Sequence, residues 1–194
     1  MAPPHATATA GAAVLPDVLE PGLVTVFCGS AASATSAALG AYYARPGNRF
    51  WPTLFEAGFT GRRLAPEEFR TVTRWRIGLT DLAKHESGAD AALSSEAYDA
   101  DALRRRIEAV RPRFLAFTGK RPAGLFLLRA LGAGLTDYGL QAAALGPTRI
   151  FVLPSPSGRA VRWWTAAPWR ELAALHNAER RKAAGAERRK EDGS

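Results

Sequence analysis

The stretch that decides the fold is VTVFC at residues 24–28, followed by GSAAS at 29–33 and AYYARPGNRFW at 41–51. The first segment has the length and β-branched content of a buried strand, and Gly29 ends it. The small residues of the second segment leave backbone N–H groups open to a ligand, as loops at the carboxyl ends of α/β strands often do. With two adjacent tyrosines close behind, the pattern predicts a pocket for a flat ligand.

Length and cysteine content limit the class of protein. A chain of 194 residues fits one domain, which we place at residues 21–178, after a disordered leader (1–20) and before a mixed-charge tail (179–194). Cys28 is the only cysteine, which argues against a disulfide framework and a cysteine-based metal site. We therefore expect a cytoplasmic protein associated with the bacterial nucleoid. No apolar run approaches the ~18 residues of a membrane span, so we expect no membrane partner.

The net charge favours a polyanionic partner. The 26 Lys and Arg residues outnumber the 18 Asp and Glu residues, which gives a formal charge of +8 spread over the body of the chain. Such a surplus suits nucleic acid, although arginine-rich proteins can be basic without binding any. The end of the chain is either a solvated helical tail or a non-specific phosphate-binding one, and its cations are Arg180, Arg181, Lys182, Arg188, Arg189 and Lys190.

Strand and helix signals alternate along the chain, which predicts an α/β fold with a mostly parallel sheet. The predicted strands are 24–28, 114–118 and 149–153, with a short apolar segment at 77–83 and a weaker strand at 138–142. The predicted helices are 48–57 (Phe50, Leu54 and Phe55 buried), 66–72, 101–110, one opening at Pro122 (Leu125, Leu128 and Leu131 buried) and 168–190. Loops following Gly29, Gly119 and Pro154 would share one rim of the sheet.

Several of these segments together resemble the uracil-DNA glycosylase superfamily. The segments are GSAAS, ARPGNRFWPTLFEAGFT, RIGLTDLAK and RIFVLPSPSGR, and the resemblance covers residues 23–162. It is closest to the mismatch-specific uracil/thymine branch, with features of the hypoxanthine-type branch. The resemblance implies a three-layer α/β/α sandwich around a four-stranded, mostly parallel sheet. It also implies a monomer that hydrolyses the N-glycosidic bond of flipped-out uracil in single- or double-stranded DNA, without metal or cofactor.

The resemblance assigns candidate roles to named residues. Tyr43 would stack on the base, although two core tyrosines are the plain alternative, and Arg159 would fill the gap left in the base stack. The base pocket would consist of Ser30, Ala31, Tyr42, Tyr43 and Asn48, and the DNA contacts would come from Ser33, Lys120, Ser155, Ser157, Gly158, Arg159 and Arg162. No lysine lies in GSAAS, so we expect a monofunctional glycosylase without lyase activity.

The chain departs from the resemblance at Ala31, where relatives carry an asparagine or aspartate that handles the attacking water. Asn48 or Asp81 could take over this catalytic role, although Asn48 could instead cap a helix and Asp81 could pair with Arg76 or Lys84. Alternatively, backbone donors alone stabilise the departing uracil anion. A third possibility is a protein that senses uracil or abasic sites in DNA without cleaving, and a nucleotide or small-molecule enzyme on the same sandwich also remains open.

Overall fold

A computed structural model describes residues 12–88, 93–94 and 96–191. Among these residues the chain forms a five-stranded sheet with the order β2-β1-β3-β5-β4. Its strands are β1 (Thr25–Gly29), β2 (Ile77–Asp81), β3 (Phe114–Phe117), β4 (Gly139–Leu145) and β5 (Thr148–Val152). The first three pair in parallel with one another, and β5 is parallel to β3. The predicted mixed α/β fold is therefore confirmed.

The sheet has five strands, so the predicted number of four was too low. The added strand is β4, which pairs antiparallel with β5 at the edge of the sheet. A two-residue turn joins the two strands, and Gly146 adopts the left-handed conformation (φ 55°) that such a turn favours. Only the start of β4 was predicted, because its alternation of buried and exposed residues is broken by a run of alanines.

Helices cover both faces of the sheet. They are α1 (Ala34–Leu39), α2 (Phe50–Glu56), α3 (Ala100–Val110), α4 (Lys120–Leu131) and α5 (Ala167–Glu191), with 3-10 segments at Pro66–Trp75 and Gly158–Trp163. One buried cluster contains Phe27, Phe50 and Trp169, and the other contains Val26 and Leu103. Because neighbouring residues of a strand point to opposite faces, β1 contributes to both clusters. The result is the expected sandwich of helices around a sheet.

Two predicted helix faces were wrong in part. Phe55 is 45% exposed and Leu128 is 66% exposed, whereas Phe126 and Leu127 are fully buried. Helix α4 begins at Lys120 and packs on its Ala123, Phe126, Leu127 and Ala130 side. The spacing of the leucines at 125, 128 and 131 is that of an apolar stripe, which led to the prediction. The buried face lies next to it on the helix and includes two alanines.

Residues 14–18 pack on the fold, so the prediction of a disordered leader (1–20) does not hold for these residues. Leu15 is 1% exposed, and the N–H of Val18 donates to the carbonyl of Leu79 at 2.9 Å. Residues 1–11 of the leader lie outside the described residues. The predicted tail, 179–194, continues α5 as far as Glu191, and 192–194 lie outside the described residues. No helix in the described part of the chain is long and apolar enough to cross a membrane.

Candidate active site

A cavity of about 860 Å³ opens at the carboxyl ends of β1, β2 and β3. Ligands of parallel α/β sheets bind at this edge, because the strands end there and loops of variable sequence follow. Its lining brings together almost every residue that the sequence nominated: Ser30, Ala31, Ser33, Tyr42, Tyr43, Asn48, Asp81, Lys120, Ser155, Ser157 and Arg159. Gly158 lies in the same loop as the last three.

Two segments far apart in the sequence meet at the rim of this cavity. The backbone N–H of Arg49 donates to the carbonyl oxygen of Pro156 at 2.8 Å. Gly158 packs against Gly47 so closely that a Cβ atom on it would lie 3.0 Å from the Gly47 carbonyl oxygen. Pro154 is held in turn, because its carbonyl accepts the indole N–H of Trp169 at 3.1 Å. The P-G-N and P-S-P-S-G segments therefore form one continuous edge.

Tyr43 is a wall of the cavity with a strained backbone. Its ring is stacked on Phe50, with a centroid distance of 3.8 Å and an interplanar angle of 14°. Its hydroxyl lies 3.3 Å from Oγ1 of Thr118, and burial raises its pKa. Tyr43 has a φ of 55°, a left-handed conformation that is uncommon for a bulky residue. Such strain, maintained by packing, clusters at functional sites.

Tyr42 also touches the cavity but is mainly a core residue. It is 2% exposed and packs against Phe69, with ring centroids 5.6 Å apart. Its hydroxyl accepts a hydrogen bond from Nζ of Lys84 at 3.1 Å. Of the tyrosine pair, Tyr43 is therefore the residue with the geometry of a stacking platform.

Asp81 ends β2 with its carboxylate beside Gly29. A Cβ atom added to Gly29 would lie 2.5 Å from Oδ1 of Asp81, so only a glycine permits this approach. Asp81 is 4% exposed and lines the cavity, and no hydrogen bond from the described residues contributes to the pKa of its carboxyl group. Its backbone carbonyl accepts from the Arg106 guanidinium at 3.0 Å, which fixes the end of the strand.

Burial shifts the pKa of Asp81 from 3.8 to about 7. Loss of water around the charged form is the largest cause, and the negative charge of Asp17 raises the pKa further. The positive charges of Lys84 and Arg106 lower it. Lys84 and Asp17 form an ion pair at 2.8 Å, with the Lys84 side chain 5% exposed. Asp81 is thus balanced between its two protonation states near neutral pH.

Asn48 precedes helix α2, whose N-cap residue is Arg49. Oδ1 of Asn48 accepts the backbone N–H of Phe50, the first residue of the helix, at 2.9 Å, which is a structural contact of the kind that the sequence left open. Asn48 also lines the cavity, and its amide NH₂ has no acceptor among the described residues. Since its oxygen is already engaged, the remaining polar group is a hydrogen-bond donor. A catalytic role for Asn48 stays a prediction.

The GSAAS segment presents backbone donors to the cavity. The N–H groups of Ser30 and Ala31 have no acceptor among the described residues, whereas the carbonyl of Ser30 accepts from the N–H of Ala83 at 2.7 Å. The methyl group of Ala31 lines the cavity, so this position supplies no side-chain polar group. Ser33 caps α1 by accepting the N–H of Ser36 at 3.1 Å.

The serine-rich loop and its neighbours form the outer rim. Oγ of Ser155 accepts the N–H of Ser157, and Oγ of Ser157 accepts the N–H of Arg159, both at 3.3 Å. Arg159 is exposed at the rim. Arg162 is exposed too but does not line the cavity. Their DNA contacts stay predictions.

Lys120 stands at the start of α4 and is already engaged. Its ammonium group pairs with Asp137 at 2.6 Å and lies 4.3 Å from the centre of the Tyr138 ring. Contact with a phosphate would have to compete with that pair, so its predicted role in DNA binding is the least supported by geometry. The described residues contain no cluster of three or more His, Cys, Asp or Glu side chains suited to a metal ion.

Comparisons with known proteins define the class to which this fold and cavity belong. The family model of the uracil DNA glycosylase superfamily matches residues 16–178. The chain belongs to the uracil DNA glycosylase superfamily. It is similar to the solution NMR structure of a candidate uracil DNA glycosylase from Methanosarcina acetivorans, with 26% identity and a TM-score of 0.58. The match covers 84% of this chain and 96% of the archaeal one. Membership supports a DNA glycosylase role, with DNA as the partner.

Thr118 and the pairing of Lys84 with Asp17 escaped the sequence analysis. Thr118 follows β3 at the same edge as Gly29, so the rule that placed the loop after Gly29 on this rim could have found it. Lys84 was predicted only as a possible partner of Asp81, and Asp17 had no predicted role. Lys84 and Asp17 are 67 positions apart and meet only because residues 14–18 pack beside β2.

Proposed function

We propose that the protein is a monofunctional DNA glycosylase that hydrolyses the N-glycosidic bond of uracil flipped out of single- or double-stranded DNA. A base within a duplex is inaccessible to attack and must leave the stack. The observation that carries the proposal is that Tyr43, Asp81 and the serine-rich loop all line the same cavity. The flipped base would stack on Tyr43, an interaction worth about 1–3 kcal/mol.

Asp81 is the proposed general base. Its ionised carboxylate accepts a proton from a water molecule as the water oxygen forms a bond to C1′ of the deoxyribose. The bond between C1′ and N1 of uracil breaks, and its electron pair leaves with the base as the uracil anion. The shifted pKa of about 7 supports this role, because a base works best when its pKa is close to the working pH. Asp81 would thus replace the residue missing at Ala31.

Backbone donors would stabilise the leaving group. The N–H groups of Ser30 and Ala31 are unengaged among the described residues and lie on segments that line the cavity. Fixed donors directed at developing negative charge are typically worth several kcal/mol in a water-poor site. The free NH₂ of Asn48 would donate to a carbonyl oxygen of uracil.

Phosphate contacts would come from the rim. Ser155, Ser157 and Gly158 follow β5 on a loop that is tied to the P-G-N segment through Pro156. Small hydroxyl and backbone donors of this kind position a DNA strand without reading its sequence. Arg159, exposed beside this loop, would enter the stack in place of the flipped base.

A second candidate function is a non-catalytic sensor of uracil or abasic sites. Ala31 favours this alternative, because its methyl group cannot orient a water molecule. An excision assay separates the two. The protein is incubated with uracil-containing oligonucleotides, and alkali then reveals abasic sites as strand breaks. Alkali-labile product supports the glycosylase; tight binding without product supports the sensor.

A further inference from the structure

A second concave surface lies on the other side of the molecule. This basic cleft, of about 510 Å³, is formed where strands begin rather than where they end. Arg76 precedes β2, Arg113 precedes β3, and Lys182 comes from α5. Arg111, at the end of α3, completes a set of four cations, against which the lining contains one acidic residue, Glu179.

The basic cleft is separate from the cavity already described. The two share no lining residue. Strands β1, β2 and β3 are parallel, so their amino ends and carboxyl ends face opposite ways. Strands of four or five residues, at about 3.3 Å per residue, place roughly 15 Å of sheet between the two surfaces. A nucleotide held in the cavity therefore leaves the basic cleft free for another ligand.

Three cations of the basic cleft, Arg111, Arg113 and Lys182, are exposed to solvent, whereas Arg76 also donates to the carbonyl of Gly22 at 3.4 Å. The side chains of Arg113 and Lys182 are 62% and 72% exposed. Glu179 lies 2.7 Å from Lys182 and 3.7 Å from Arg113, so one carboxylate holds two cations together without neutralising both. Arg111 is exposed and has no ionic partner among the described residues. A positive surplus in a concave surface attracts polyanions.

Two of these arginines occupy positions where glycine would be easier to accommodate. Arg76 has a φ of 57° and Arg111 a φ of 47°, each as the residue that ends a helical segment. Glycine is the usual residue in this left-handed conformation because it lacks a Cβ atom. The chain carries a charge at both positions instead, and both charges reach the same cleft. At Arg111, replacement by glycine should therefore remove charge without straining the backbone.

The chemistry of the cleft matches the DNA backbone rather than the bases. Its lining, within the described part of the chain, combines cations with small and aliphatic residues and contains no aromatic ring. Cations without stacking platforms contact phosphates and are indifferent to sequence. Helix α5 carries further exposed cations, Arg181 and Arg189, along the helix that forms one wall.

We infer that the basic cleft binds the phosphate backbone of a second DNA segment while the cavity engages the first. The choice of DNA as the polyanion rests on the proposed function. A protein with two such surfaces can pass from one stretch of DNA to another without complete release, because the second contact forms before the first is lost.

Energy transfer between two short duplexes tests this inference. One duplex carries a donor dye and the other an acceptor, neither contains uracil, and transfer requires both on one protein molecule. The wild-type protein should produce transfer that falls as salt is raised. The double variant Arg111→Gly/Lys182→Ala should lose about ten-fold in transfer, since two cationic contacts are removed. Its melting temperature and its excision of uracil from a single duplex should be unchanged. Lys182→Glu should lower transfer in the same way.

The matched control is Arg63→Ala/Arg105→Ala, which removes two exposed arginines that line neither surface. It should transfer like the wild type. Absence of transfer in the wild type would overturn the inference, as would full transfer in the Arg111→Gly/Lys182→Ala variant or equal loss in the control. Transfer without any uracil excision would leave the basic cleft standing and remove the proposed glycosylase. Excision without transfer would support the proposed glycosylase and overturn the inference about the basic cleft.

Discussion

The carboxylate of Asp81 lies against the Cα atom of Gly29, so that a Cβ atom there would come within 2.5 Å of Oδ1. Gly29→Ala must therefore push the carboxylate away. We expect a loss of about 1–3 kcal/mol in the free energy of unfolding. The excision rate should fall on the order of 100-fold, because displacement of a catalytic group by an ångström is enough for such an effect.

Gly124→Ala is the control for that substitution. Gly124 lies within α4, and the nearest neighbour of an added Cβ atom is Leu135 at 3.9 Å, an ordinary contact. Alanine in a helix should add about 0.5–1 kcal/mol of stability and leave excision unchanged. Equal rates for Gly29→Ala and the wild type would contradict the placement of Asp81 at the reacting centre.

The raised pKa of Asp81 makes stability depend on pH in a defined direction. The unfolded chain releases this proton near pH 3.8 and the folded one near 7, so the folded state binds more protons between these values. The free energy of unfolding should therefore fall as pH rises from about 4 to 7, then level off with respect to this group. Asp81→Asn abolishes the effect and should be on the order of 2–4 kcal/mol more stable than wild type at pH 8.

Denaturant titrations of both proteins across this pH range measure the difference. At pH 4 the two proteins should differ little in stability, because Asp81 is then protonated in the folded state and only partly ionised in the unfolded one. A variant that is less stable than wild type at pH 8 would mean that the carboxylate is stabilised by contacts, and that its pKa is not raised.

Tyr43 should act through its ring more than through its hydroxyl. Tyr43→Phe keeps the stack on Phe50 and loses one hydrogen bond to Thr118, so binding of a uracil-containing single strand should weaken by less than about 1 kcal/mol. Tyr43→Ala removes the platform and should cost about 1–3 kcal/mol of binding. Equilibrium binding measured by fluorescence anisotropy distinguishes them. Similar affinities for the two variants would remove Tyr43 from the base pocket.

Arg159 should matter for duplexes more than for single strands. Only a duplex has a stack and an orphaned partner base to occupy, so Arg159→Ala should slow excision from duplex DNA about ten-fold more than from a single strand. Arg162 lies in the same 3-10 segment but outside the cavity lining, so as a contact to the DNA backbone alone Arg162→Ala should slow excision from both substrates to a similar extent. Equal losses on both substrates for Arg159→Ala would argue against insertion.

The parts of the fold that follow local rules were predictable from the sequence. Buried strands such as β1 and β3 are short, mostly apolar runs that end near a glycine, and helix α3 has a clear apolar stripe. The rule that ligands bind at the carboxyl ends of parallel strands predicted one rim for the loops after Gly29, Gly119 and Pro154, and residues of all three loops line the cavity.

The parts that depend on distant contacts were not predictable. Strand β4 is stabilised by its antiparallel pairing with β5. Residues 14–18 are held in a similar way, through the bridge between Val18 and Leu79 of β2. The pKa of Asp81 depends on burial and on the distant charges of Asp17 and Arg106 as well as on nearby Lys84, and no local pattern encodes the burial or the distant charges. The side-chain amide of Asn48 could bond either to the start of helix α2 or to a ligand. Only the position of the Phe50 N–H in the fold decides that its oxygen bonds to the helix.

The central claim is that Asp81 activates water for uracil excision, and the most direct measurement is the single-turnover excision rate across pH. For the wild type the rate should rise with pH and level off above about pH 7, as the carboxylate ionises. For Asp81→Asn it should be about 100-fold to 10,000-fold lower, with no inflection near pH 7. An Asp81→Asn protein that excises uracil as fast as wild type, or a wild type that yields no abasic sites at any pH, would contradict the account.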